Sequence, residues 1–327
     1  MKRELLNKWP FGGRTSTGAG NWLRKLVRKN KFHVFLKLCI YFVLVCISFI
    51  YLQPLLKMVS MSLMSYKDVI DPSVEWLPRM PSVENLIIAG KVLDLKKTIV
   101  NSIWFSALLA CCQTLVSALT GFALSRFRFR FKNIWLILII LAFIIPVPLL
   151  MIPRLMLFIA GQNILGFNLI GTPIPQVLMA LSGQGVNSTI LILIFYNFFN
   201  LIPYSLDEAA MIDGANPLQV FIQIALKLSA STVLVVFLFS FVWNWNETYV
   251  TGTLVRDSIT LLPAKLNMFD SAFVSYASSG RGTAQFRINE AYKMSATLIS
   301  ILPMLILYAF VQKQFIQGIE NTGITGE

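Results

Sequence analysis

Two short stretches of this 327-residue chain carry most of the side chains that could recognise a polar solute. FVWNWNETYV places indole rings, amides and a carboxylate together, and FYNFFN adds a phenol and two amides. Aromatic faces with a few polar groups bind sugars in cavities between helices, although an aromatic belt at a membrane boundary has the same composition. With one amide from another apolar segment, the candidates for a substrate path are Asn101, Tyr196, Asn197, Asn200, Trp243, Trp245, Asn246 and Glu247.

Residues for covalent chemistry are scarce. The single histidine is His33, the four cysteines all lie in apolar segments, and neither metal-ligand spacing nor a glycine-rich phosphate loop occurs. We therefore expect no catalytic residue, no metal and no cofactor. A membrane-bound enzyme such as a glycosyltransferase stays a remote alternative, because no metal-binding carboxylate motif is present. A proton-driven carrier usually needs a chain of ionisable groups inside the membrane, which this sequence lacks.

One polar island, SLDEAAMIDGANPLQ, interrupts the apolar part of the chain. Ser205 and Glu208 have the spacing of a capping box, which predicts a helix start. Gly214 suits a left-handed turn, and Asn216 followed by Pro217 is typical of a second helix start. The sequence therefore predicts helix, turn and helix. No breaker follows, so we expect the second helix to continue directly into the next apolar run.

The elements around these motifs are long uncharged helices. Each apolar run is about long enough to cross a hydrocarbon core of roughly 30 Å as a helix, and alternating strands are not seen. We predict an all-α membrane protein with six transmembrane helices. The uncharged stretch 155–186 is rich in Gly, Pro, Asn and Gln in its first part, so we expect it to be irregular backbone in an external re-entrant or surface segment. The six runs are Leu38–Leu56, Thr98–Ser125, Asn133–Pro153, a run within Asn187–Leu206, Leu228–Asn246 and Met294–Gln312.

Basic residues predict the orientation. The first 33 residues contain nine Lys and Arg against one acid, and RFRFRFK follows the second run. By the positive-inside rule both segments are cytoplasmic, which gives N-in and C-in topology and places the helix-turn-helix between spans 4 and 5 in the cytoplasm. The net charge of +13 then reflects topology rather than nucleic-acid binding. We divide the chain into a basic arm with a possible interfacial helix (1–33), a six-span domain (34–317) and a tail (318–327).

At this point the sequence resembles a known family. EAAMIDGANPLQVFIQIAL is similar to the EAA signature of permease subunits in binding-protein-dependent ABC importers, and FALSRFRF, WNE and QKQFIQGIENTGITG match further family segments. Asp-Gly-Ala at 213–215 resembles the carbohydrate-uptake branch, similar to the maltose-type six-span permease. Departures are Lys227 and Ser231, where proline is frequent, and Thr325, where lysine is usual.

The resemblance implies a non-catalytic permease subunit of the bacterial cell membrane that imports an oligosaccharide or related carbohydrate. Alternative solutes are glycerol phosphate or a peptide. The implied partners are a second permease, two cytoplasmic ATPase subunits that hydrolyse ATP, an external binding protein and the lipid bilayer. The residues implied in ATPase coupling are Ser205, Glu208, Ala209, Ala210, Asp213, Gly214, Ala215 and Ile224.

The predicted external loop 251–293 is polar and rich in Gly and Ser near its middle. Arg281 and Arg287 are candidates for docking the binding protein, because charge pairs at the rim of an interface raise association rates.

Overall fold

The computed structural model of the protein describes the backbone of residues 17–278 and 290–323, and the side chains of 34–278 and 290–313. These parts are helical and contain no strand, which confirms the all-α class for them. The chain divides into two compact units, 1–57 and 58–327. Arg281, Arg287 and Thr325 lie outside the described residues.

Helix α1 (Thr17–Ser62) includes all the described residues of the first unit. The remaining helices follow in chain order. They are α2 (Tyr66–Ile70), α3 (Glu84–Val92), α4 (Leu95–Arg126), α5 (Lys132–Ile144), α6 (Val147–Leu165), α7 (Ile174–Leu181), α8 (Ser188–Leu201), α9 (Tyr204–Ile212), α10 (Pro217–Val220), a π-helical segment (Phe221–Ala225), α11 (Leu226–Leu228), α12 (Ala230–Asn246), α13 (Tyr249–Leu254), a 3-10 turn (Arg256–Ser258), α14 (Leu262–Asn267), α15 (Phe269–Tyr276) and α16 (Glu290–Gly323).

Within the described residues, four helices are long and apolar enough to cross a membrane, and the number rises to six if two bent helix pairs each form one span. The protein is therefore a multi-pass membrane protein, and the expected six spans are the upper limit of this range. The four single spans are Val34–Ser62, Leu95–Arg126, Val147–Leu165 and Glu290–Lys313, and the pairs are Ser188–Leu201 with Tyr204–Ile212 and Pro217–Leu228 with Ala230–Asn246.

The third predicted span differs from the structure. The apolar run 133–153 is divided, because Pro146 is extended and separates α5 from α6. Helix α6 then includes Pro153 and ends only where Gly166 adopts a left-handed conformation with φ 74°. Residues 155–165, expected to be irregular backbone, are thus helical and belong to a candidate span, and the expectation of irregular backbone is wrong. A glycine C-cap, rather than an internal proline, decides where this helix stops.

Helix α4 packs against α8 and α12 in the second unit. Gly121 permits the close approach to α8, since a Cβ atom at this position would lie 2.6 Å from the Cβ of Phe195. Phe195 and Phe199 of α8 are fully buried in this contact. In contrast, α5 has no buried residue. Helices α4, α8 and α12 therefore form the framework that positions the two regions described next.

Candidate functional site

The turn between α9 and α10 is held by local backbone hydrogen bonds. The N–H of Gly214 donates to the carbonyl of Met211 at 3.1 Å, and the N–H of Ala215 donates to that of Ala210 at 2.9 Å. With Gly214 at φ 90°, this is a Schellman motif, which satisfies carbonyls at the end of a helix. Asn216 and Gln219 then form a reciprocal capping box that starts α10. We call residues 204–228 the α9–α11 hairpin.

The hairpin lies strongly inclined to both helices that flank it. Helix α9 is bent by 74° from α8, and Pro217–Leu228 is bent by 82° from α12. The predicted continuous helix into the fifth span is therefore wrong, because the helix is interrupted at Ser229. The bend allows Val220, Phe221 and Ala225 to be buried in the cluster that includes Phe122 of α4 and Phe195 of α8. Burial of this apolar face outweighs the local helical preference.

The start of α9 also differs from the prediction. The helix begins at Tyr204, one residue before Ser205, and the expected Ser205–Glu208 capping box does not form. The C-terminal end of α4 holds this start instead. The Tyr204 hydroxyl donates to the carbonyl of Ser125 at 2.8 Å, and Nη2 of Arg126 donates to the carbonyl of Ile202 at 3.0 Å. Long-range contacts thus replace the local cap.

An ion pair joins α4 to the hairpin. Nε of Arg126 lies 2.7 Å from Oδ2 of Asp207, and these side chains are only 5% and 8% exposed. The Arg126 guanidinium also stacks on the Tyr204 ring, 4.5 Å from its centroid. Sequence analysis missed this pair, because Arg126 reads as one of several basic residues that set topology. A buried ion pair left with one partner is costly, so the pair fixes the hairpin to α4.

The coupling candidates fall into two groups. The exposed side chains are those of Ser205, Glu208, Ala209 and Asp213, together with the turn residue Gly214. The half-buried residues Ala210, Ala215 and Ile224 pack against the cluster beneath the hairpin. The structure adds exposed apolar side chains that sequence analysis did not single out, at Leu206, Met211, Ile212 and Leu218.

Ile212 is 85% exposed at the tip of the hairpin. Apolar side chains beside exposed carboxylates form a surface with the composition of a protein interface. The sequence signal for these exposed residues is that apolar side chains occur within an otherwise polar segment. Within the described residues, the outer face of the hairpin is therefore exposed and available to a partner protein, whereas its inner face is buried against the core.

At the opposite ends of α8 and α12 lies a cavity of about 550 Å³. Its polar lining comes from α4, from α6, from the turn between α7 and α8, from the start of α8, and from the residue after α12. These residues are Thr120, Arg154, Ser182, Gln184, Asn187, Ser188, Thr189 and Glu247. Most of the remaining lining is apolar and includes Trp135, Leu138 and Phe143 of α5. Because α8 has 14 residues, its first residue at the cavity and its last residue at the hairpin are about 21 Å apart along the helix.

Gln113 of α4 organises the wall of this cavity. Its Nε2 donates to the carbonyl of Val186 at 3.1 Å and to the hydroxyl of Ser188 at 3.0 Å. Its Oε1 accepts hydrogen bonds from the Ser240 hydroxyl and, at 2.7 Å, from Nδ2 of Asn244. One buried amide thus connects α4, α8 and α12. Such bonds between transmembrane helices fix their mutual register.

The predicted substrate-path residues are dispersed. Glu247 lines the cavity, and its Oε1 accepts the N–H of Val250 at 2.7 Å. Trp245 is 2% exposed within an apolar cluster, and the half-buried Trp243 stacks on Phe239. The amides of Asn101 and Asn246 donate to backbone carbonyls. Tyr196 is half-buried on α8, and Asn197 and Asn200 are exposed there.

The described residues contain no group of three His, Cys, Asp or Glu side chains that could hold a metal. The described residues thus form a multi-pass helical membrane protein with an exposed helical hairpin between α8 and α12. The chain belongs to the family of binding-protein-dependent transport system inner membrane components, which matches residues 113–321.

Individual relatives extend this similarity over most of the chain. A putative ABC transporter permease protein, ORF2, from Caldicellulosiruptor sp. (strain Rt8B.4) is 26% identical over 279 residues, covering 84% of this chain and 91% of the relative. The galactooligosaccharides transport system permease protein GanQ of Bacillus subtilis (strain 168) is 29% identical over 297 residues, covering 88% and 94% respectively.

A solved structure supports the fold. It is a chain of a bacterial ABC transporter involved in the import of the acidic polysaccharide alginate, with a TM-score of 0.61 and 21% identity. The similarity covers 94% of this chain and all of that chain.

Proposed function

We propose that this chain is one permease subunit of an ATP-driven importer that moves an oligosaccharide or related carbohydrate into the cytoplasm. The observation that carries the coupling part is the exposed hairpin, whose turn is closed by its own backbone hydrogen bonds and which is anchored to α4 by a buried ion pair. Similarity to a galactooligosaccharide permease and to an alginate importer supports a carbohydrate as the solute. The chain itself performs no covalent chemistry, and separate subunits hydrolyse ATP.

The hairpin is proposed to bind a cytoplasmic ATPase subunit. Glu208, Asp213 and the exposed Ile212 would contact the ATPase, while Ala210 and Ala215 keep the hairpin on the permease body. Movement of the ATPase would reach α4 through Arg126 and Asp207, and would reach α8 and α12 through the buried cluster. The break at Ser229 makes this packed contact, rather than one continuous helix, the route of transmission.

The proposed assembly contains a second permease, two ATPase subunits and an external binding protein, in a bacterial cytoplasmic membrane. Six spans with both termini inside would place the hairpin in the cytoplasm and the Arg154–Glu247 cavity toward the outer side. Solute arriving from the binding protein would then reach this cavity first. Arg281 and Arg287 remain proposed docking residues on the same side.

Uptake by the complete transporter tests this function. The assembly would be reconstituted in proteoliposomes with ATP inside and the binding protein outside, and supplied with labelled neutral and acidic oligosaccharides, glycerol 3-phosphate or a peptide. We expect ATP-dependent uptake of at least one oligosaccharide. Uptake of glycerol 3-phosphate or peptide alone would replace the carbohydrate assignment with the alternative importer. An assembly with a hydrolysis-deficient ATPase is the matched control and should show no accumulation.

A further inference from the structure

Arg154 is the only charged residue of α6, a candidate membrane span. A cation inside a span is expensive, and such residues usually face a cavity and serve a substrate or ion path. Arg154 fits this pattern, because it is half-buried and lines the 550 Å³ cavity. The position of this charge therefore indicates that the Arg154 guanidinium binds a partner.

The described residues provide few hydrogen-bond acceptors for the Arg154 guanidinium. Nη2 donates to the carbonyl of Gln184 at 3.4 Å and to its Oε1 at 3.5 Å, both long distances. No other hydrogen bond and no ion pair of Arg154 is formed within the described residues. A guanidinium has five N–H donors in a planar fork, so most of them remain available toward the cavity.

The part of the cavity wall that follows Gln184 is preorganised. Gln113 holds the turn 185–188 through the Val186 carbonyl and the Ser188 hydroxyl. Gly185 allows this contact, because a Cβ atom there would lie 2.0 Å from Nε2 of Gln113. Glu247 supplies a carboxylate. One of its oxygens accepts the Val250 N–H, and the other accepts no hydrogen bond from the described residues and is available to a hydroxyl. The cavity thus combines a guanidinium with amide, hydroxyl and carboxylate groups.

We propose that Arg154 binds the carboxylate of an acidic carbohydrate, a uronic acid residue, while Glu247 and the amide groups of the cavity bind its hydroxyls. Two parallel N–H···O bonds match the planar guanidinium to a carboxylate. One cation in a cavity that also contains Glu247 suits a singly charged carboxylate better than a doubly charged phosphate, because Glu247 would repel the second charge. This inference rests on the proposed function and specifies its substrate class.

The test compares two matched solutes in the reconstituted transporter. The probes are labelled digalacturonate and galactobiose, which differ in the carboxylates. Wild-type uptake should favour digalacturonate, and Arg154→Gln should lower the ratio of acidic to neutral uptake about tenfold or more, as expected for loss of a charge-assisted pair. Arg154→Lys should keep part of the preference, because the charge remains without the fork.

The ratio within one variant is insensitive to a loss of folded protein, which lowers both rates equally. Arg128→Gln, at an exposed position after α4, is the charge-matched control and should keep the wild-type ratio. Wild-type preference for galactobiose, or an unchanged ratio in Arg154→Gln, would overturn the inference while leaving carbohydrate import intact. Failure to import any carbohydrate would instead remove the proposed function itself.

Discussion

The two ends of α8 and α12 are built by different means. At the hairpin end, the Schellman turn at Gly214 and the capping box of Asn216 use groups within a few residues of each other. At the cavity end, Gln113 joins the turn at Val186 to Asn244 of α12, which are far apart along the chain. The turn of the hairpin is therefore closed locally, although α4 holds the start of α9, whereas the cavity end depends on how the helices are aligned.

This difference suggests a division of mechanical roles. A locally satisfied hairpin keeps its shape when it moves, because its hydrogen bonds move with it. The cavity end changes shape when α4, α8 and α12 shift, because its hydrogen bonds connect them. Helix α4 contacts both ends through Arg126 and Gln113, about 20 Å apart along its axis. We expect α4 to transmit displacement of the rigid end to the deformable end.

The largest expected effect concerns which end faces the cytoplasm. In a background where the four native cysteines are replaced, Ser278→Cys should react with a membrane-impermeant thiol reagent applied outside. Asn133→Cys and Ile212→Cys should react only after permeabilisation. All three positions are exposed in the structure, so access differs by side of the membrane and not by burial. The reverse labelling pattern would place the hairpin outside and would contradict its proposed cytoplasmic location.

Breaking the ion pair should give the next largest effect. Asp207→Ala leaves Arg126 buried without its partner, and we expect a loss of about 3–5 kcal/mol in the free energy of unfolding in detergent. Asp213→Ala removes an exposed carboxylate from the same hairpin and is the matched control. The double variant Arg126→Ala, Asp207→Ala should lose less than the sum of the single changes. Equal effects of Asp207→Ala and Asp213→Ala would show that the pair does not anchor the hairpin.

Gly185→Ala should disturb the cavity end by a smaller amount. The new Cβ would displace Gln113 from its hydrogen bonds, at a cost of about 1–3 kcal/mol in unfolding free energy. Gly252→Ala adds a Cβ that meets nothing within 4 Å, so its stability should stay near wild type. In a Gln113→Ala background the Gln113 amide no longer obstructs the new Cβ. Gly185→Ala should therefore lower the free energy of unfolding by less than it does in the wild type. The same loss for Gly185→Ala with and without Gln113 would exclude this contact as the cause.

The smallest effect on stability should come from Gly214→Val. Its φ of 90° opposes a branched side chain at about 1–2 kcal/mol, and nothing crowds the site. Gly166→Val imposes similar strain at φ 74° away from the hairpin. We expect both variants to be equally stable, but only Gly214→Val should lower ATP hydrolysis stimulated by the loaded binding protein. Equal stimulation of ATP hydrolysis in the two variants would show that coupling does not depend on the Gly214 turn.

Local patterns predicted the helical class, the left-handed Gly214 and the helix start at Asn216 and Pro217. Each depends on backbone sterics or on groups close in sequence, so the residue types alone specify it. The same reasoning failed at Ser205, where a local cap was expected, and at Ser229, where no breaker is present. Contacts with α4 and burial of an apolar face override the local preference at both positions.

Sequence by itself thus determined a polar hairpin between long apolar helices, because helix periodicity, glycine and capping residues act over a few residues. Only the tertiary structure decided that Arg126 pairs with Asp207, that Gln113 holds the cavity wall, and that Trp245 is committed to an apolar cluster. These outcomes depend on which faces of α4, α8 and α12 meet. Many registers satisfy the same apolar pattern, and dense packing of distant side chains selects one of them.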